Sequence, residues 1–94
     1  DDYLDEEHRR QAPAIYAALL KARDAFEKQG IDDVAALTET IRQHINSNTD
    51  GEIDYVEIVS LDQLEPIHRV QAGNTLIAVA VHLGGARLID NIRL

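Results

Sequence analysis

The chain has no cysteine, no methionine and no tryptophan. Without cysteine there is no disulfide staple, no thiolate zinc site and no cysteine nucleophile, and a reducing compartment is compatible with the composition. Three tyrosines and one phenylalanine supply all the aromatic surface. Base-stacking platforms and adaptable Met-rich grooves are therefore excluded as modes of recognition, and the core is aliphatic. Positive charge is scarce too, with 9 Lys and Arg against 17 Asp and Glu for a net charge of -8. Such a surface repels phosphate backbones and anionic lipid, so no nucleic acid and no membrane partner is expected. The longest strongly apolar run, residues 76–81, is far short of the ~20 residues that span a bilayer. The acidic start carries no signal-peptide pattern, and a cytoplasmic location is expected.

What is present fits one small domain covering residues 1–94. A chain of this size buries about 60 to 65% of its unfolded surface, leaving a thin core and little room for an enclosed two-substrate site. From Asp5 to about Gln29, Ala12, Ile15, Tyr16, Leu19, Ala22 and Phe26 recur at helical spacing. Asp5, Glu6 and Glu7 suit a helix start, Lys28 and Gly30 suit its end, and Pro13 predicts a kink or restart. A second helix opens at residues 31–33 and ends near Asn46, with Val34, Leu37, Ile41 and Ile45 as its stripe. Ile53, Tyr55, Val56, Ile58 and Val59 favour a strand that is closed by Pro66. Residues 74–83 read as a central strand covered on much of both faces, and Gly84-Gly85 as the turn of a hairpin to residues 87–92. The fold class is α+β, a helical hairpin packed on a three-stranded antiparallel β-sheet.

One motif invites a metal. Residues 46–57 place oxygen ligands Asn46, Asn48, Asp50, the Glu52 carbonyl, Asp54 and Glu57 at calcium-loop spacing, with Gly51 at the sixth position. Asn at the first position, the lack of a second loop and a β-branched exit segment argue for a plain helix-to-strand loop instead. His8, His44, His68 and His82 show no zinc spacing. Asp54, Glu57, Asp62, Glu65 and Asp90 read as a solvated acidic face. No phosphate loop, dinucleotide fingerprint or nucleophile elbow occurs. An interaction module built on the helical hairpin would reveal itself by exposed apolar residues.

Three stretches in order resemble the carboxy-terminal domain of the pantoate–β-alanine ligases: residues 3–16, YLDEEHRRQAPAIY; residues 54–59, DYVEIV, with Leu64 and Pro66; and residues 76–92, LIAVAVHLGGARLIDNI. The segment from Arg87 to Asn91 is the most specific. The resemblance implies an enzyme that joins pantoate to β-alanine with ATP and magnesium through a pantoyl-adenylate, releasing pyrophosphate and then AMP. It implies that the nucleotide site lies on an amino-terminal Rossmann-like domain with a HIGH-type motif, and that a Ser-Ser-Arg-Asn segment precedes the stretch resembled here. Asp1 stands where the family has that Asn, and neither motif occurs in these 94 residues. The resemblance also implies a hinged lid, a full-length homodimer and an isolated domain that is catalytically silent. No catalytic, cofactor or metal residue is expected in the chain, and Tyr3, Arg87, Asp90 and Asn91 are its hinge or interdomain candidates.

Overall fold

The structure, a computed structural model, describes residues 4–94. Helices α1 (Glu6–Gln11), α2 (Pro13–Gln29) and α3 (Val34–Asn48) precede strands β1 (Glu52–Ser60), β2 (Thr75–Leu83) and β3 (Ala86–Arg93). The strands form one antiparallel sheet in the order β1-β2-β3. The first predicted helix is two helices, because the chain restarts at Ala12 with Pro13 in the first turn of α2. There a missing N–H is harmless and the fixed φ suits a helix start. Asp33 caps α3 by accepting from the Ala36 N–H at 3.1 Å, and α3 runs on to Asn48, two residues past its expected end.

The core forms where two aliphatic helix faces meet one row of β2. Ile15, Ala18, Leu19, Ala22 and Ala25 of α2 and Leu37, Ile41 and Ile45 of α3 are buried. Beneath them lie Ile77, Val79, Val81 and Leu83 of β2, all at 0% exposure. The buried stripe of α2 is thus rotated from the expected one: Tyr16 is exposed and Phe26 only half-buried, while alanines take the inner positions. Small residues there let α2 lie close to α3. The other face of β2 is less covered than expected. Ala80 is buried, Leu76 and Ala78 are half-buried and His82 is exposed, because no helix among the described residues packs on that side of the sheet.

Pairing of Ile53 with Val81 and of Tyr55 with Ala80 leaves Asp54 as the extra residue of a β-bulge. The bulge shifts the alternation of β1, so Ile53 and Val56 both face the helices and Tyr55 faces outward. Residues 61–73, for which the sequence offered no element, are nevertheless tied down. The Val34 N–H donates to the His68 carbonyl at 3.0 Å, and the Val70 N–H to the Asp32 carbonyl at 2.8 Å. Asn74 donates to Asp62 at 3.1 Å and to Gln71 at 2.8 Å, and accepts from the Asp62 N–H at 2.9 Å. The buried Thr75 hydroxyl bonds both the N–H and the carbonyl of Gln71, at 2.9 and 2.8 Å.

Gly51 owes its identity to crowding. A Cβ there would stand 2.5 Å from Val81 Cγ1 and 3.3 Å from the His82 carbonyl oxygen. Gly51→Ala is expected to destabilise the chain by about 1–3 kcal/mol, the range for overpacking a well-packed site. Urea unfolding followed by circular dichroism measures this, and an unchanged midpoint contradicts it.

Candidate functional site

The polar side-chain groups relevant to a site fall into three separate places. On the open face of the sheet, Arg87 pairs across the strands with His82. The Arg87 Nε and Nη2 groups donate to Asp54 Oδ2 at 3.1 and 2.7 Å. The guanidinium lies 5.8 Å from the centre of the Tyr55 ring, and His82 Nε2 is 3.9 Å from the same carboxylate oxygen. The bulge creates this group by bringing Asp54 and Tyr55 to one side. Because the partners are substantially exposed, the ion pair contributes about 0 to 1 kcal/mol and the ring contact about 0.5 to 1. Asn91 shares the open face.

Asp90 points the other way. It pairs with Val79, on the helix side, and lines a groove of about 450 Å³ with Leu4, Arg9, Ala12, Pro13, Ile15, Tyr16, Leu88 and Ile89. Its carboxylate accepts from the Asn91 N–H at 2.8 Å. Of the four hinge candidates, Arg87 and Asn91 therefore share one face, Asp90 occupies the other, and Tyr3 lies outside the described residues.

A third group joins α1 to the α3–β1 junction and was not read from the sequence. Gln11 Nε2 donates to Asp50 Oδ2 at 3.0 Å, and the Asp50 N–H donates back to Gln11 Oε1 at 2.7 Å. His8 Nδ1 lies 2.9 Å from Asp5 and its Nε2 3.9 Å from Asp50. Gly84, at φ +61°, is the first residue of the two-residue hairpin turn, and a Cβ there would meet His8 Nδ1 at 2.9 Å. These partners are 39 residues apart for Gln11 and Asp50, beyond the reach of local spacing rules.

The fold does not gather the calcium-loop residues around one point. Asn46 and Asn48 belong to the last turns of α3, and Glu52, Asp54 and Glu57 to the extended β1. At about 3.3 Å per residue, Glu52 and Glu57 stand roughly 16 Å apart, so the seventh and twelfth positions do not converge on one ion. Asp50 is bonded to Gln11 and Asp54 to Arg87. Gly51 does not adopt the positive φ found at Gly30, Gly73 and Gly84. Among the described residues no three His, Asp or Glu side chains gather at a metal site.

Two features that could hold a phosphate are put to other uses. Gly84-Gly85 closes a hairpin rather than opening a helix. The N-termini of α1 and α3 are already occupied by the Asp5 and Asp33 carboxylates, where a phosphate would meet like charge.

A model of the pantoate-beta-alanine ligase family matches residues 1–93. The chain belongs to that family. Over 90 residues it is 49% identical to the pantothenate synthetase of Geobacillus kaustophilus, a match that covers 96% of this chain and 29% of the relative. It is 45% identical over 93 residues to that of Oleidesulfovibrio alaskensis, covering 98% of this chain and 32% of the relative. A crystal structure of pantothenate synthetase from Thermus thermophilus superposes with a TM-score of 0.85 at 34% identity, covering 97% of this chain and 32% of that one. The chain thus spans about three-tenths of the length of these pantoate-beta-alanine ligase relatives.

The His8 N–H and imidazole hold the Asp5 carboxyl below its ordinary value of 3.8, so its stabilising effect is present above pH 3.8 and is lost as the pH falls through the lower folded-state value. Asp5→Ala should accordingly reduce the helical carbon shifts of α1 at neutral pH, with the difference from the parent closing in acid below 3.8; a gap that persists there refutes the assignment. In an amide NMR titration, calcium at millimolar levels should leave residues 46–57 in place, and saturable shifts confined to them would restore the metal reading.

Proposed function

We propose that this chain is the carboxy-terminal lid domain of a pantoate–β-alanine ligase. The complete enzyme activates pantoate with ATP, giving pantoyl-adenylate and pyrophosphate. The amine of β-alanine then attacks the acyl carbon and AMP leaves. The observation that carries this reading is the match of residues 1–93 to the family by a chain that spans about three-tenths of its relatives' length. ATP and magnesium accordingly bind on an amino-terminal nucleotide-binding domain of the same protein, and the complete enzyme is a cytoplasmic homodimer.

A lid contributes without owning the chemistry. Closing over an acyl-adenylate keeps out water, which would otherwise compete with the amine for the acyl carbon. The net charge of -8 agrees with that division, because a surface that had to grip a polyphosphate alone would need clustered Arg and Lys. Tyr3, Arg87, Asp90 and Asn91 are proposed for hinge or interdomain contact. For Arg87, contact with a neighbouring domain would exchange part of its exposed pair with Asp54, a small loss in a surface setting.

The full-length protein is expected to convert pantoate, β-alanine and ATP to pantothenate with one AMP formed per product, and the 94-residue chain to form none. Release of ADP in place of AMP refutes the reaction type. Turnover by the short chain alone refutes its role as a lid.

A further inference from the structure

The side of the sheet turned away from the helices is not polar throughout. The register aligns Tyr55, Ala80 and Ile89 in one row across the strands and Glu57, Ala78 and Asn91 in the next. Alternation turns all six to that open face. Ile89 stands out from it at 59% exposure, whereas Ala80 in the same row is fully enclosed. Half-buried Ala78 and Leu76 continue the apolar strip along β2. Charge keeps to the two ends: Arg87 with Asp54 and His82 at one, and Arg93, opposite Leu76, at the other. Among the described residues Arg93 is exposed and has no ion-pair partner. An apolar centre with a charged margin is the composition of a contact surface between domains.

We propose that this open sheet face, centred on Ile89, is where the remainder of the ligase docks, laying an apolar side chain on Ile89 and a carboxylate against Arg93. This rests on the lid reading above and adds the face by which the lid is held. The size of the face selects a tethered occupant over a second copy. Three strands of about eight residues present a surface of roughly 27 by 14 Å, or about 400 Å². Covered by a partner, it removes about 800 Å² in all, inside the range of about 600–1,500 Å² for contacts between domains of one chain. Separate chains need more, about 1,200–2,000 Å². A contact too small to hold free partners closes when both belong to one chain, because the link keeps their effective concentration near millimolar. The relatives are about three times the length of this chain, so such an occupant is long enough to fold as a domain. Ile89 and Arg93 both project from a regular strand, so docking orders little that is not ordered already.

The test reads side-chain methyl groups by NMR in the presence of a soluble nitroxide, which broadens those that water reaches. The Ile89 and Ala78 methyls should be broadened in the 94-residue chain and protected in the full-length protein. Those of Leu64, 62% exposed in a depression between α3 and β1, should broaden alike in both. Ile89→Glu and Arg93→Glu in the full-length protein should lower kcat/KM at least about tenfold. Tyr16→Glu, on the helix side and 44% exposed, should change it less than about threefold. In the short chain all three variants should melt within about 4 °C of the parent, as surface changes do. Equal broadening of Ile89 in the two contexts, or a loss from Tyr16→Glu as large as that from Ile89→Glu, overturns the proposal. Protection of Ile89 that appears in the short chain as its concentration rises, and is no greater in the full-length protein, assigns the face to a second copy and overturns it as well. A full-length parent that makes no pantothenate defeats the lid reading instead, and the methyl comparison still decides the docking face.

Discussion

The inner row of β2 sets the terms for the other elements. Thr75, Ile77, Val79, Val81 and Leu83 are completely enclosed, and each such aliphatic side chain withdrawn from water contributes about 1.5–3 kcal/mol. A single strand cannot enclose them. The row needs hydrogen-bonded neighbours on both edges and an aliphatic layer above, which β1, β3 and the facing stripes of α2 and α3 provide. Even the polar member conforms, because Thr75 satisfies its hydroxyl within its own loop through Gln71 and so adds no unpaired group to the interior.

The constraint acts on one side only, and the asymmetry organises the rest of the surface. Helices cover the inner face, while the outer face carries Arg87, Asp54, Tyr55, His82 and Asn91. On an open face, ion pairs and cation–π contacts persist without the desolvation cost that would attend them inside. The groove beside α2 marks the limit of the helical layer, where Leu88 and Asp90 of β3 come to the margin. The segment from Arg87 to Asn91 thereby faces two surfaces at once, since alternate residues of a strand point oppositely.

Much of this was legible in the residues. Periodicity located both long helices, the order of the strands and the central place of β2, and the glycine pair marked the β2–β3 turn. The restart at Pro13 followed from its missing N–H. What escaped did so for physical reasons. The stripe of α2 was misplaced because Tyr16 and Phe26 weigh more in a hydropathy pattern than Ala18 and Ala25, although close helix packing prefers the smaller side chains. The bulge at Asp54 breaks the two-residue period, so alternation alone could not tell that Tyr55 faces outward beside Arg87. Gly51 had the position of a calcium-loop glycine but serves the approach of Val81, a contact 30 residues away that no local pattern encodes. For the same reason the Gln11–Asp50 pair was invisible, and Asp90 could not be separated from Asn91 until the register was known.

Helix α1 buries no side chain of its own, yet it is fastened at two points. Leu4 is set into the core just ahead of it, and Gln11 grips Asp50 in a reciprocal pair at its far end. Between α1 and α2 the backbone turns at Ala12 without a side-chain cap. Mechanically this is a strut rather than a tether. Force applied to the chain ahead of Leu4 divides between the aliphatic core and the α3–β1 junction, so the domain turns as one body instead of fraying from its first helix. Under the proposed lid reading α1 moves with the core, and the two hydrogen bonds between Gln11 and Asp50 set how stiff that coupling is.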